Sequence, residues 1–139
     1  SIALGLSRAA LDAARAHALG RVQFGKPLAD LQAVQFMLAE MATEIEAGHW
    51  LTWRAATVRG QGVRFTREAA MAKVFCSDNC MKHTTNAVQI LGGRGYLKGN
   101  DVERYFRDAK VTQIYDGASE IQKVVIARHV LAEGEGKSH

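Results

Sequence analysis

The stretch LQAVQFMLAEMATEIEAGHWLTWRAATVRG, residues 31–60, decides the fold. Apolar or small residues recur along it at alternating spacings of four and three, namely Val34, Leu38, Met41, Ile45 and Gly48. This spacing places them on one face of a helix as a continuous seam. We therefore predict one helix of about thirty residues, which starts near Leu28–Asp30 and ends at Arg59.

Glycines mark the ends of the neighbouring helices. A segment rich in Ala and Leu begins at Ser1 and ends at Gly20, a residue suited to the position just after a helix. A further helix is expected from Thr66, its N-cap, to the glycine pair that begins at Gly92. The sequence up to that pair thus predicts three long helices with short links.

The remaining chain predicts a short helical turn at 102–107 and one more long helix. Ser119 and Gln122 have the spacing of a capping box that opens this helix. Its expected apolar face comprises Ile121, Val124, Val125 and Leu131. Sustained period-two alternation is absent from the sequence. The predicted fold is therefore all-α, an antiparallel four-helix up-and-down bundle with one or two short extra helical turns.

Composition indicates one compact domain. The chain has 139 residues, of which 47% are hydrophobic and 23% are charged. We place the domain at 1–133, followed by a flexible tail at 134–139, and interpret Ser1 as a truncation point. The sequence lacks the run of about 18 apolar residues that a membrane helix needs. The net charge is +4, but the basic residues are scattered among acids, which argues against nucleic acid binding.

Cysteine usage favours an intracellular, reducing setting, because Cys76 and Cys80 do not make a disulfide framework. Together with His83 they have the helical spacing of three metal ligands. A structural zinc site needs four ligands, and the sequence offers no fourth. We therefore predict two buried thiols, a surface histidine and no metal.

Three stretches, in this order, resemble the acyl-CoA dehydrogenase family. They are ALGRVQFGKPLADLQAVQFMLAEMA (18–42), AVQILGGRGYLKGNDVERYFRDAK (87–110) and VTQIYDGASEIQKVVIARHVL (111–131). Together they cover about half of the chain, and the last two are specific as an ordered pair.

The resemblance implies the carboxy-terminal helical domain of a larger flavoprotein. Members of the family oxidise the Cα–Cβ bond of an acyl-CoA thioester with FAD, and an electron-transfer flavoprotein usually reoxidises the flavin. They assemble through this domain, so a homo-oligomer, dimer or tetramer, is expected. The expected location is the cytoplasm, or the mitochondrial matrix in a eukaryote. The chain alone is expected to be inactive, since it lacks the central β domain of the family.

In the motif IYDGASEIQ, Asp116 takes the position of the family's catalytic base, which is usually Glu. From the residues alone, the favoured interpretation of Asp116 is a turn or capping residue ahead of the helix, and only the flanking match favours the base. Aspartate withdraws the carboxylate by one C–C bond, about 1.5 Å. Three outcomes stay open: a shifted loop, a branched or cyclic acyl substrate, or weak catalysis.

Some relatives also carry the base at a position that would precede Ser1. The alternative function is therefore a weak or inactive dehydrogenase-like subunit that serves as a helical assembly module.

The resemblance also implies contacts with the cofactor and the substrate. The expected FAD contacts are Arg21, Gln23, Phe24, Gln32, Gln89, Ile90, Leu91, Gly92, Gly93, Ala118, Ser119 and Glu120. Gly117 is expected beside the substrate. Ala118 stands where threonine is commoner in the family. Without the resemblance, Arg21 would be a cation at a helix C-terminus, Gln32 a solvated helix position, and Gly92 a helix stop.

Overall fold

The computed structural model describes residues 2–135. Six α-helices, a two-stranded antiparallel hairpin and one 3-10 turn make up this part of the chain, which confirms the predicted all-α fold. In chain order they are α1 Ile2–Gly20, β1 Val22–Gln23, β2 Lys26–Pro27, the 3-10 turn Leu28–Asp30, α2 Gln32–Gly60, α3 Thr66–Leu91, α4 Gly93–Tyr96, α5 Asp101–Thr112 and α6 Ser119–Glu135. None of these helices is both long enough and apolar enough to cross a bilayer. Ser1, and the predicted tail from 136 onward, lie outside the described residues.

Helix α3 is the centre of the bundle and packs against α1, α2, α5 and α6. It runs parallel to α1: Ala3 clusters with Cys76 at one end, and Ala18 clusters with Leu91 at the other. It runs antiparallel to α2, because Glu44 contacts His83 whereas Thr52, farther along α2, contacts Cys76. The first three long helices thus follow the expected up-and-down order.

Small residues let these helices approach closely. Three alanines of α1, at 10, 14 and 18, are fully buried. On α2, a Cβ added to Gly48 would lie 3.0 Å from Leu4 Cδ2 and 3.1 Å from Cys76 Sγ. Such distances are shorter than ordinary carbon–carbon contacts of about 3.5–4.0 Å. Gly48, which has no side chain, therefore lies where α1, α2 and α3 meet.

Both thiols are buried, as predicted. The Cys76 thiol donates to the Gly48 carbonyl at 3.6 Å. Burial raises the pKa of Cys80 to about 11, against a weaker opposing effect of its hydrogen bond with Ser7. Cys80 is thus a neutral packing residue at neutral pH, and the raised pKa of Cys76 has the same cause.

Two capping predictions are wrong. Phe65 is the N-cap of α3, and Thr66 is its first helical residue. Likewise the Gln122 N–H bonds to the Ala118 carbonyl, which makes Ala118 the cap of α6. The Ser119 hydroxyl donates instead to Asp78 of α3. A tertiary partner has therefore taken the side chain that the local pattern assigned to a cap.

Two further elements differ from the prediction. The short turn expected at 102–107 is a helix of twelve residues, α5, which the Asn100 side chain caps by accepting from the Val102 N–H at 3.0 Å. The expected apolar face of α6 is largely exposed, for example Ile121 at 59% and Leu131 at 71%. The buried or half-buried side of α6 comprises Ser119, Gln122, Val125, Ile126 and His129.

His83 is not the surface residue that we predicted. Its ring is 1% exposed, with Nε2 2.9 Å from a Glu44 carboxylate oxygen, while Lys82 bonds the other oxygen at 2.7 Å. Its Nδ1 is buried and has no hydrogen-bond partner among the described residues. Because Nε2 faces a carboxylate, we assign the proton of the neutral ring to Nε2. Burial lowers the pKa of His83, and Glu44 opposes that effect.

This lowered pKa predicts a pH-dependent stability. The unfolded chain, with a histidine pKa near 6.5, binds the proton more readily than the folded chain. The free energy of unfolding should therefore fall as pH decreases below 6.5. His83→Gln keeps a donor for Glu44 but does not titrate, so its stability should fall less between about pH 7 and pH 5. Urea unfolding at both pH values measures the difference.

The pKa of His17 is also lowered, but this residue is present in both proteins. Its contribution cancels when wild type and His83→Gln are compared. Equal losses of stability in the two proteins would contradict the prediction.

Candidate functional site

The predicted site residues fall into two groups at opposite ends of α1. Asp116 lines a cavity with Ile2 and Ala3, at the start of that helix. Arg21 follows the end of α1 and lines another cavity with Arg94, just beyond α3. Helix α1 has 19 residues and is therefore about 28 Å long. Within one chain, the Asp116 loop and the Arg21 end are thus two separate sites.

Asp116 lies in a tight loop, residues 113–118, between α5 and α6. Its φ is 55°, and the φ of Gly117 is 92°, so two consecutive residues adopt left-handed backbone. Aspartate is one of the few non-glycine residues that visit this region readily. The Ser119 N–H closes the loop on the Gln113 carbonyl at 3.0 Å. The loop thereby turns the Asp116 side chain out of the helical path.

Side chains from α6 and α3 restrain this loop. Gln122 Nε2 donates to the carbonyls of Asp116 and Gly117 at 3.3 and 3.4 Å. One Asp78 carboxylate oxygen accepts from Gln113 Nε2 at 2.8 Å and from the buried Ser119 hydroxyl at 3.2 Å. Sequence reasoning did not single out Asp78, because only the packing of α3 brings it to a loop more than thirty residues away.

A cavity of about 340 Å³ lies beside Asp116. Its other walls are mostly small or apolar: Ile2, Ala3, Thr52, Ala55, Ala69, Ala72, Lys73, Cys76, Ser77, Thr112 and Tyr115. The Lys73 ammonium nitrogen is buried, with no hydrogen-bond partner among the described residues. Asp116 itself is exposed. A carboxylate at the edge of such a cavity can accept a proton from a ligand held there.

Arg21 and the hairpin that follows it form the second region. In the amide orientation that satisfies both groups, the Gln23 oxygen accepts from the Arg21 guanidinium at 2.6 Å. Phe24 is 89% exposed at the hairpin tip with a φ of 53°, and Gln32 is exposed at the start of α2. The structure thus brings Arg21 and Gln23 together and leaves Phe24 and Gln32 open to a partner.

The segment at the end of α3 has two parts: core residues and, after them, glycines with accessible backbone. Ile90 and Leu91 are buried in the core, whereas Gln89 is exposed. Gly92 has a φ of 60°, and apart from the adjoining backbone no described atom lies within 4 Å of a Cβ added to Gly92 or Gly93. A ligand could therefore lie directly against this backbone.

Two guanidinium groups make the Arg21 end suitable for an anion. Arg21 and Arg94 line a cavity of about 360 Å³ with His17, Ala16 and Gly20. Burial and these two cations lower the pKa of His17. Arginine forks match phosphate oxygens. With the open glycine backbone, this chemistry fits the phosphate portion of a dinucleotide such as FAD. Within residues 2–135, no His, Cys, Asp and Glu side chains form a group of three that could hold a metal.

The fold and the two regions define a helical domain with a carboxylate loop at one end and a pair of arginines beside open glycine backbone at the other. The family model for the acyl-CoA dehydrogenase C-terminal domain matches residues 1–131. This chain therefore belongs to the acyl-CoA dehydrogenase family, as its carboxy-terminal domain.

Comparison with individual proteins gives the same family. The chain is 51% identical to the mitochondrial short-chain specific acyl-CoA dehydrogenase of Bos taurus over 94% of its own length and 32% of that protein. It is 48% identical to the cyclohexane-1-carbonyl-CoA dehydrogenase of Geobacter metallireducens, covering 94% and 34%. Butyryl-CoA dehydrogenase from Megasphaera elsdenii superposes with a TM-score of 0.91 at 47% identity, covering 93% and 34%. The chain thus spans about a third of the length of these relatives.

The geometry of the loop predicts that Gly117→Ala disturbs it. A Cβ at Gly117 would collide with Gln122 Nε2, which bonds the loop carbonyls. Gly99 is a matched control, since its φ is 95° and no described atom lies within 4 Å of an added Cβ. Both substitutions carry the cost of left-handed backbone, about 1–2 kcal/mol. Gly117→Ala should therefore lower stability more than Gly99→Ala and speed amide exchange in 113–118. Equal effects in thermal unfolding and hydrogen exchange would refute this account.

Proposed function

We propose that the protein containing this chain is an FAD-dependent acyl-CoA dehydrogenase in which Asp116 is the catalytic base. The position of Asp116 carries the proposal: a carboxylate on a restrained left-handed turn, at the edge of a mostly apolar cavity. Asp116 accepts the α-proton of the thioester, and the electron pair of that C–H bond forms the Cα=Cβ double bond. FAD, when bound, accepts the hydride that leaves Cβ. Gly117 lies beside the substrate in this arrangement.

The remaining predicted residues bind the cofactor from two ends of the bundle. Arg21 and Gln23 hold phosphate oxygens, and the open backbone at Gly92 and Gly93 lies against the cofactor. The cofactor-facing set also comprises Phe24, Gln32, Gln89, Ile90, Leu91, Ala118, Ser119 and Glu120. Ile90 and Leu91 take part through their backbone, because their side chains are in the core.

The protein works as a homo-oligomer, because the Asp116 loop and the Arg21 end of one chain are about a helix length apart. A cofactor held between subunits would take the Arg21 end from one chain and the Asp116 loop from its partner. Large apolar side chains left exposed support such an assembly, among them Phe24 at 89%, Trp50 at 59% and Trp53 at 60%. An electron-transfer flavoprotein is the proposed acceptor, in the cytoplasm or in the mitochondrial matrix of a eukaryote.

The shorter carboxylate favours a compact acyl group. Aspartate reaches about 1.5 Å less far than glutamate, so the α-hydrogen must lie closer to the loop. Relatives of similar identity are named for short-chain, cyclohexane-1-carbonyl and cyclohex-1-ene-1-carbonyl substrates. We therefore propose a short or cyclic acyl-CoA as substrate.

Substitution of Asp116 in the full-length, FAD-loaded protein tests this function. Asp116→Asn cannot accept the proton, so kcat should fall by about 10²- to 10⁴-fold while the flavin content is unchanged. Asp116→Glu moves the carboxylate forward, so the ratio of kcat for butyryl-CoA to kcat for cyclohexane-1-carbonyl-CoA should rise. Both are measured with an artificial electron acceptor.

An Asp116→Asn enzyme with full activity would eliminate Asp116 as the base. A wild-type protein that holds no flavin and oxidises none of these thioesters would support the alternative, an assembly module without catalytic activity.

A further inference from the structure

Asp78 on α3 connects the two ends of the Asp116 loop. Its Oδ1 accepts from Gln113 Nε2 at 2.8 Å, before the turn, and from Ser119 Oγ at 3.2 Å, after it. Its Oδ2 pairs with Lys123 Nζ at 3.5 Å. A single carboxylate thus fixes the points where the chain leaves α5 and enters α6.

The conformation between these points needs such restraints. Asp116 has a positive φ of 55°, which is uncommon for residues with a side chain, although aspartate adopts it more readily than most. Backbone of this kind at a residue with a side chain persists only where its surroundings enforce it. The Gln122 bonds to the turn carbonyls are long, at 3.3 and 3.4 Å. The bond from Gln113 to Asp78, at 2.8 Å, is the shortest of these and therefore the strongest restraint.

Asp78 is also attached to a rigid element. Its helix, α3, is packed against five other helices, and its neighbour Ser77 is buried and lies 3.5 Å from the Ser119 hydroxyl. Hydrogen bonds to an ionised carboxylate are roughly twice as strong as those between neutral groups. The ion pair with Lys123 is half-exposed on both sides and contributes little. The restraint comes from Gln113 and Ser119.

We propose that Asp78 is a positioning residue for Asp116: its carboxylate binds both ends of the loop and so fixes the distance between the Asp116 carboxylate and the α-carbon of the substrate. The inference rests on the proposed function for Asp116 as base. It adds a residue that does not touch the substrate and acts only through the loop.

The test uses the full-length, FAD-loaded protein with butyryl-CoA and its α-deuterated form. Asp78→Ala should lower kcat by about 10- to 100-fold, since a misplacement of about 1 Å has an effect of this size. KM should stay within about threefold, and the isotope effect on kcat should rise because proton removal becomes slower. Asp78→Asn keeps an acceptor without the charge and should fall between Asp78→Ala and wild type. Asp108→Ala, which removes an exposed acid from α5, should match wild type.

Hydrogen exchange in 113–118 gives a readout that does not depend on chemistry, and Asp78→Ala should speed it. If exchange in the loop is unchanged, the restraint is absent and the proposal is wrong. The proposal is equally wrong if kcat falls only in proportion to lost flavin, with an unchanged isotope effect. Full activity of Asp116→Asn would overturn the base assignment and the positioning role together, whereas inactive Asp116→Asn with normal Asp78→Ala would overturn the positioning role alone.

Discussion

The close approach of α1 and α2 to α3 is the constraint on which the rest of the structure depends. It requires very small side chains at the contact, such as Gly48, where an added Cβ would lie 3.1 Å from Cys76. Overpacking a site of this kind costs about 1–3 kcal/mol. Helix α3 is consequently fixed in register against both neighbours, and it carries Asp78 near its middle and Gly92 just past its end. Both candidate regions thus take their positions from one helix.

Local sequence signals are sufficient for the long helices and insufficient for the side chains that cap them. The four-and-three spacing through Val34 and Met41 and the stops at Gly20 and Gly92 predicted helices within a few residues of those observed. The predicted cap at Ser119 is wrong because its hydroxyl has a competing partner. Its hydroxyl can bond either its own helix or a partner brought by folding, and the partner, Asp78, is 41 residues away. A local pattern contains no information about that competition.

The same limit explains what was missed in the candidate site. Motif resemblance predicted the loop at Asp116 and the arginine at 21, because both are short contiguous patterns. Asp78 and His83 owe their roles to the register between helices. The sequence predicts a surface position for His83 because no signal near it indicates Glu44, which lies on the antiparallel helix α2 at 2.9 Å from the ring. Residues whose function depends on register become visible only once the helices are placed.

Because the two regions are separate, the proposed enzyme can meet two different requirements independently: accurate placement of the base and tolerant binding of the cofactor phosphates. Hydride and proton transfer tolerate little error in distance, and the loop that carries the proposed base is bonded to α3 of the same chain through Asp78. The proposed phosphate-binding end, at Arg21 and Gly92, would hold an anion by charge and open backbone, which tolerate small displacements. Subunit contacts can therefore supply the cofactor's distant end without limiting the accuracy of the chemistry. In this arrangement, the distance from Asp116 to the substrate must be the most accurate, and it does not depend on contacts between subunits.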